Sequence, residues 1–582
     1  MSWRDLLCGD VRPEHAGRRT TLAGWTARRR DHGGLVFIDL RDESGICQLV
    51  VNPERAPEAH ASTHDIRNEF VLRAEGEVAL RAPEAVNPDL PTGEVELQVD
   101  GLEIVSRAPP LPFQLDEEGV DETLRYRYRW LDLRREGLQR NIRLRAKAVS
   151  AIRREMEAEG FVDIETPILG KPTPEGARDF LVPSRLQPGR FFNLPQSPQI
   201  YKQLLVISGF ERYYQIARCF RDEDLRADRL QELTQLDVET AFPDFEYLCA
   251  LTERVFTAVW KETVGVALEP PFPRLRWDEA MLRYGSERPD LRFGLEIADV
   301  TEATRGSEFG VFAGAACVRC VTVPKELSRA ELAALEEFAR EWGAKGLAYL
   351  VFGADGEVRS PIAKFLSDDE LAAVRSEPGS TVLFAAGEPA AVARVLGPLR
   401  LRLGHEVGLI DESSWRFVWV TDFPLLEWSE DEDRWTAVHH PFTRPNAESV
   451  DLLDDDPGAA RAVAYDLVGN GIELAGGSFR IHEPELQAKI FDLLKISREE
   501  QRLRFGFLLD ALGMGAPPHG GIAAGIDRIM MALLPEPLAR ETQAFPKNQA
   551  GVDPMSGAPS EVPPEQLAEL GIRVVTTKPK SS

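Results

Sequence analysis

Cysteine is scarce in this chain: six in 582 residues, at positions 8, 47, 219, 249, 317 and 320. That excludes a disulfide-stapled scaffold. Only Cys317 and Cys320 have a CxxC spacing, and no second Cys or His pair lies near them. Two ordinary thiols on a strand are therefore expected rather than a structural zinc. No stretch approaches the roughly 18 uninterrupted apolar residues of a membrane helix. Met1-Ser2-Trp3-Arg4-Asp5 carries no apolar signal region, so a cytoplasmic protein without membrane attachment is expected. Positive charge is also in deficit, with a net charge of −26. Net charge is a poor guide to nucleic-acid binding when charge is segregated, so its distribution matters more.

What is present fits a soluble globular protein, 43% hydrophobic and 28% charged. The length calls for roughly two to four domains. Residues 1–106 hold five apolar or alternating runs at Thr20–Trp25, Gly34–Asp39, Ile46–Val51, Phe70–Leu80 and Val95–Val105, with Gly, Pro and Asn between them. Five short strands in about a hundred residues suggest a small closed barrel of the OB type. Arg28-Arg29-Arg30 precede Phe37 there. This is either a cation-and-aromatic surface for single-stranded nucleic acid, or a solvated turn beside a core phenylalanine. A proline linker, Arg107-Ala108-Pro109-Pro110-Leu111-Pro112, closes the block. Residues 125–147 then turn basic, with Arg125, Arg127, Arg129, Arg134, Arg135, Arg140, Arg143, Arg145 and Lys147 against only Asp132 and Glu136. That excess suits a polyanion.

An amphipathic helix is expected over Arg140–Gly160, then a strand over Phe161–Pro167, and a helix opened by Ser197 as N-cap with Pro198 in its first turn. This helix sets Gln199 and Lys202 one turn apart on one face. Tyr213–Glu239 reads as a hairpin, two alternating runs around a charged loop at 224–232. Period-2 alternation puts Gln215, Arg221 and Glu223 on one face of its first strand, and Gln235, Asp237 and Glu239 on one face of the second. Such a face is wet or holds a charged ligand. Residues 285–415, rich in Ala and Gly, read as a separate inserted domain with no chemical constellation. Asn470-Gly471 marks a second hairpin. A two-residue turn pairs Val468 with Glu473 and Asp466 with Ala475, so that Asp466 and Glu473 share a face within about 5–8 Å. A Mg²⁺ carried by a nucleotide would relieve their repulsion. Gly476-Gly477-Ser478-Phe479-Arg480 follows, and Gly520–Asp527 leads Arg528 into a helix start, where phosphate is favoured.

In this order the pieces resemble a class II aminoacyl-tRNA synthetase of the bacterial aspartyl type, over essentially the whole chain. Phe161–Pro167, Phe220–Glu239 and Gly520–Arg528 resemble the three class motifs. Thr173–Phe180, Gln196-Ser197-Pro198-Gln199 and Val438-His439-His440-Pro441-Phe442 resemble aspartyl-specific signatures. The resemblance implies an α+β chain with an OB-fold anticodon-binding domain at 1–106, a hinge at 107–139 and an antiparallel-sheet catalytic domain at 140–284 and 416–582, interrupted by the bacterial-type insertion at 285–415. It also implies a homodimer with Pro167 near its interface, and ATP-dependent charging of tRNA-Asp through aspartyl-adenylate. Among the implied roles, Arg221 holds the α-phosphate and the substrate carboxylate, and Arg528 the γ-phosphate, these two being the catalytic pair. Glu175, Gln199, Lys202, Asp237, His439 or His440, and Arg480 form the aspartate pocket. Asp222, Glu223, Gln235, Glu473, Gly525, Ile526 and Asp527 belong with ATP, and Asp466 and Glu473 with Mg²⁺. Arg30, His32, Phe37 and Gln48 match anticodon-reading positions.

Two residues depart from the pattern. Leu230, in Arg229-Leu230-Gln231-Glu232, replaces a family Gln that contacts ATP, so that contact is lost or taken over by Gln231. His32 stands where relatives restricted to tRNA-Asp tend to carry Leu and those that also charge tRNA-Asn tend to carry His, which favours relaxed specificity. The rivals are an asparaginyl or lysyl synthetase, a tRNA-independent ligase of the same fold, and a non-catalytic RNA-binding protein that kept the scaffold. Lys202 with Arg480 speaks for an anionic side chain, and retention of Arg221, Glu473 and Arg528 speaks for catalysis.

Overall fold

The structure, a computed structural model, describes residues 3–172, 177–534 and 538–575. The chain divides into two compact units, Met1–Val120 and Asp121–Ser582.

The first unit is a closed five-stranded barrel. Its strands are β1 (Arg19–His32), β2 (Leu35–Arg41), β3 (Ile46–Val51), β4 (Val71–Leu80) and β5 (Val95–Ser106), in the order β1-β2-β3-β5-β4. Strict alternation on β2 sends Val36, Ile38 and Leu40 inward with no exposed surface. Phe37 therefore faces outward and is half-buried, which excludes the core reading of that ring.

The second unit is built on an eight-stranded, largely antiparallel sheet. In chain order its strands are β6 (Val162–Asp163), β7 (Arg212–Phe220), β8 (Glu232–Ala241), β9 (Arg274–Arg276), β10 (Phe417–Thr421), β11 (Ala464–Gly469), β12 (Ile472–Phe479) and β13 (His519–Gly525). Their spatial order is β9-β10-β11-β12-β13-β8-β7-β6. One face buries Leu236, Val238, Trp419, Leu467, Leu474 and Ile522 against α1 (Glu136–Ala158), α3 (Phe245–Thr263) and α4 (Ile526–Leu533). Residues of α2 (Gln199–Ile207) are buried as well, among them Gln199, Lys202 and Gln203. Between β9 and β10 lies a second, five-stranded sheet flanked by helices Arg329–Glu341 and Pro389–Glu406. Cys317 and Cys320 sit there on one strand as free thiols, turned into two different cores.

Several local expectations are corrected. The strand at Phe161–Pro167 shrinks to Val162–Asp163, pairing in parallel with β7 at the sheet edge. Ser197 stands one residue outside the helix cap, although its Oγ still accepts from the Gln199 N–H at 3.2 Å. β7 ends at Phe220, so Arg221 and Glu223 do not share its face with Gln215. The Arg221 N–H still reaches the Gln231 carbonyl, but the Asp222 N–H turns away to that of Arg178.

The basic stretch is not an open polycationic face. Arg125 and Arg129 both bind the fully buried Asp132, at 3.0 and 2.6 Å. Arg129 also donates to the carbonyls of Gln543 and Ala544, and Arg145 pairs with Asp527 at 2.8 Å. These arginines are internal struts. Only Arg127, Arg140, Arg143 and Lys147 of the stretch are exposed.

Candidate active site

One face of the large sheet carries polar residues at its edges and small ones between. Strand register sets a single rung across five strands: Gln215 on β7, Asp237 on β8, Ala523 on β13, Gly476 on β12 and Asp466 on β11. Asp237 and Asp466 are three strand spacings apart, roughly 14 Å, with only a methyl group and a glycine between them. That is a flat floor long enough for a nucleotide. The neighbouring rung runs Tyr213, Glu239, Gly521 and Ser478. A Cβ on Gly521 would stand 2.4 Å from Glu239 Oε2, so only glycine fits beside that carboxylate.

At the Asp237 end the side chains form a buried cage of two cations and two anions. Lys202 Nζ, from the first turn of α2, lies 3.1 Å from Asp237 Oδ1 and 3.4 Å from Glu239 Oε2. Arg480 grips Glu239 with Nε at 2.9 Å and Nη2 at 3.1 Å. Burial alone would raise the Glu239 pKa, but Arg480 and Lys202 outweigh it and hold this carboxyl below its usual value. Burial dominates at Asp237, whose pKa is raised in spite of Lys202. Charges this deep survive only when mutually paired.

His440 braces the cage. Its Nε2 lies 2.7 Å from Arg480 Nη1, and its Nδ1 lies 3.2 Å from the Phe442 N–H and 3.3 Å from Thr443 Oγ1. Burial, then Arg480, pushes the His440 pKa well below 6.5, so the ring is neutral. His439 stands edge-on to Phe423, its pKa lowered by burial to about 4. Buried Gln199 Nε2, Asp237 Oδ2 and His439 Nε2 have no hydrogen-bond partner among the described residues, and neither do Gln203 Nε2 and Oε1 on α2. Native interiors rarely leave such atoms orphaned, and a bound ligand is the economical explanation. Glu175 lies outside the described residues. The segment that follows it is anchored by Gln196, which bonds both the N–H and the carbonyl of Ala177.

At the other end the Asn470-Gly471 turn forms, with Asn470 at φ +50° and Gly471 at φ +80°. Val468 pairs with Glu473 as expected, but Leu474 is an extra residue, so Asp466 faces Gly476 and not Ala475. This bulge keeps Glu473 and Gly476, three residues apart, on one face. A Cβ on Gly476 would lie 2.8 Å from Asp466 Oδ1 and 3.5 Å from Glu473 Oε1, so the two carboxylates meet over the missing side chain. Burial, then Glu473 and Glu287, drives the Asp466 pKa well above the carboxylate range. A divalent cation would relieve that strain. No cluster of three or more His, Cys, Asp or Glu fit for a metal occurs among the described residues, so the remaining ligands of such an ion would be phosphate oxygens and water.

The other predicted residues divide into two groups. Arg528, in the first turn of α4, bonds the Glu473 carboxylate at 3.2 Å and approaches Asp228 at 3.6 Å. Arg221 has no ion-pair partner among the described residues. Gln235 Oε1 accepts a hydrogen bond from the Cys219 thiol at 3.5 Å, and Glu223 pairs with Arg229 at 3.5 Å. Gly525 caps α4. Asp527 and Ile526, by contrast, are buried. The Asp527 carboxylate accepts from Arg145, Gln543 and the Thr234 N–H, and Ile526 is wholly in the core. They anchor the floor from beneath. Leu230 is half-buried, and the Gln231 amide sits against Gly551, where a Cβ would lie 3.2 Å from its Nε2. Sequence reasoning missed Glu239 and Ser478 as site residues. The two-residue period had put Glu239 on the right face, but its partner Arg480 lies 241 residues away.

On the barrel, Arg30 stands opposite Phe37, and Asp39 opposite Gln48. The Arg30 guanidinium holds Asp39 at 2.8 and 3.0 Å, and Gln48 donates to Glu96 at 3.2 Å. His32 is exposed, its ring edge-on to Phe37 at 6.1 Å.

Known proteins agree with both units. Residues 20–105 match the OB-fold nucleic acid binding domain, and residues 121–549 match the class II tRNA synthetases (D, K and N). An aspartate--tRNA ligase of Geobacillus kaustophilus is 50% identical, with 98% of this chain and 99% of that one covered. An aspartate--tRNA(Asp/Asn) ligase of Geobacillus sp. strain WCH70 is 48% identical with both chains covered in full. In fold, the chain is similar to asparaginyl-tRNA synthetase of Pyrococcus horikoshii solved with asparaginyl-adenylate, at a TM-score of 0.61 and 19% identity over 94% of this chain and 99% of that one. With relatives matching nearly its whole length at about half identity, the chain belongs to the bacterial aspartyl-tRNA ligases of the class II synthetases.

Proposed function

We propose that the chain joins L-aspartate to the 3′-terminal ribose of tRNA-Asp in two steps, and that it also charges tRNA-Asn. In the first step the aspartate α-carboxylate attacks the α-phosphorus of ATP, the bond to the β-phosphate breaks, and pyrophosphate leaves. In the second, a ribose hydroxyl attacks the acyl carbon and AMP departs. Because the nucleophile arrives with the substrate, the protein's work is positioning and charge neutralisation.

The observation that carries this reading is the Lys202–Asp237–Glu239–Arg480 cage at one end of a glycine floor whose other end is the Asp466–Glu473 pair. Lys202 and Arg480 take the aspartate side-chain carboxylate, a planar anion suited to a fixed guanidinium. The unpaired Asp237 oxygen and Glu175 accept from the ammonium group. Gln199 and His439, each with an unpaired nitrogen, close the pocket, and neutral His440 fixes Arg480. Arg221 neutralises the α-phosphate, and Arg528 the γ-phosphate at the start of α4. Asp466 and Glu473 would hold Mg²⁺, which when bound neutralises phosphate charge. Glu223 and Gln235 border the nucleotide. A homodimer meeting around Pro167 is supported by Val162, Ile168 and Leu169, each about half exposed beside the edge strand β6. A cytoplasmic location suits a tRNA substrate.

Arg30, Phe37 and Gln48 form the anticodon surface, Phe37 by stacking and Gln48 by hydrogen bonding. His32 beside Phe37 supports the wider tRNA range, as does the Asp/Asn naming of the Geobacillus sp. relative. Pyrophosphate exchange should require aspartate and fail with asparagine or lysine. Purified tRNA-Asp and tRNA-Asn should both be aspartylated, and absence of charging on tRNA-Asn would sink the relaxed-specificity reading.

A further inference from the structure

The segment Gly285–Leu295, which leads from the large sheet into the inserted domain, is held with unusual firmness. Arg400, buried on helix Pro389–Glu406, donates to the carbonyls of Asp290, Phe293, Gly294 and Leu295. Its guanidinium lies over the rings of Phe293 and Tyr284, at 4.1 and 4.9 Å. Arg292 grips Asp290 at 2.7 Å and Glu412 at 2.6 Å, so the entering and leaving strands of chain are tied together. Gly285 packs directly on Gly397, where a Cβ would meet backbone at 2.8 Å. Clamped in this way, the segment lies against the turn of the carboxylate hairpin: a Cβ on Gly471 would stand 3.3 Å from Asp290 Cβ and 3.9 Å from the Arg288 carbonyl. Glu287 and Arg288 are exposed, and both lie within electrostatic reach of Asp466. Arg288 has no ion-pair partner among the described residues.

We propose that Arg288 is a third cation of the triphosphate site, engaging the β- and γ-phosphates of ATP beside Arg528, and that the inserted domain holds it there through Arg400 and Arg292. The proposal rests on the placement of ATP given above. The physical case is one of charge balance. The phosphate end of the floor offers two carboxylates, and Arg528 is already engaged with one of them. A triphosphate placed there needs more positive charge than Arg528 and one divalent ion provide. An arginine on a rigid loop supplies it with only its own side chain left to order at the moment of binding. The clamp also gives the inserted domain, otherwise without chemistry, a consequence at the active site.

Arg288→Ala should weaken ATP binding about tenfold, read both as the ATP KM in aspartate-dependent pyrophosphate exchange and as the Kd of Mg·ATP by calorimetry in the absence of aspartate. The aspartate KM and the thermal midpoint should stay unchanged, since the residue is exposed, and Arg288→Lys should recover most of the loss. Two results would overturn the proposal. One is an ATP Kd within twofold of the wild-type value. The other is a defect confined to transfer onto tRNA, which would place Arg288 against the RNA acceptor end instead. Failure of the wild-type protein to catalyse aspartate-dependent exchange would count against the proposed function, and calorimetric Mg·ATP binding would still report on Arg288.

Discussion

The barrel surface and the floor of the large sheet both present arginine, carboxylate and amide groups, yet they are built on opposite principles. On the barrel, Arg30, Asp39 and Gln48 sit at the solvent boundary beside an aromatic ring, each bonded to a neighbour, and of these three only Arg30 keeps a buried atom, Nε, without a partner among the described residues. Little there is costly to leave unoccupied, and a partner must mainly add stacking and exchange hydrogen bonds. On the floor, Lys202, Asp237, Glu239 and Arg480 are buried to within 3% exposure, and several nearby polar atoms have no partner among the described residues. That site carries its desolvation before the ligand arrives. A surface of the first kind suits a large, flexible RNA loop. A cage of the second kind suits a small charged molecule that must be told from its amide.

The contrast breaks first where transition-state charge is greatest. Replacing Arg221 or Arg528 by Ala should each cut aspartate-dependent pyrophosphate exchange on the order of 10³-fold, and near-normal exchange would refute their placement. Next comes Arg480→Ala, which leaves the buried Glu239 with only Lys202, a cation it shares with Asp237, and should cost about 3–5 kcal/mol of unfolding free energy. By contrast Arg30→Ala, at a pair with the arginine 36% exposed, should cost no more than about 1 kcal/mol. Urea titrations of both variants give the comparison, and equal losses would erase it. Phe37→Ala should leave pyrophosphate exchange intact while weakening tRNA charging about tenfold or more, through loss of one base stack worth about 1–3 kcal/mol.

The smallest effect concerns acid. Burial lowers the pKa values of His439, His440 and His519 in the folded state. Below 6.5 the unfolded chain therefore binds protons that the folded chain refuses. Their stabilisation is complete above pH 6.5 and is lost as pH falls toward about 4, the value for His439. Asp237 and Asp466, with raised pKa values, pull the other way, so the decline is read as the difference between wild type and His439→Asn in denaturation series from pH 7 to 5.

Local patterns were the most legible part of the sequence. The barrel strands, the Tyr213–Glu239 hairpin and the Asn470-Gly471 turn follow from alternation and turn chemistry, which act over a few residues. The Leu474 bulge was not legible, because an extra residue leaves the apolar pattern intact while shifting every later partner. Nor was the fate of Arg125, Arg129 and Arg145. A run of arginines looks like a phosphate track until buried Asp132 and distant Asp527 are seen to claim them. Glu239 was on the right face but lacked a visible partner, and the bonds of Asp527 to Arg145, Thr234 and Gln543 join residues that local pattern does not connect.

The bulge at Leu474 works as a ruler. It sets the gap between the Asp466 and Glu473 carboxylates by counting residues, independent of how tightly their side chains pack. Were Leu474 paired with Leu467 instead of bulging, every later partner would shift and Ala475 would stand across from Asp466 in place of Gly476. A methyl group would then stand where the two carboxylates now converge. A strand in that register would keep its ladder and lose its grip on a metal, a failure that stability measurements alone would not detect.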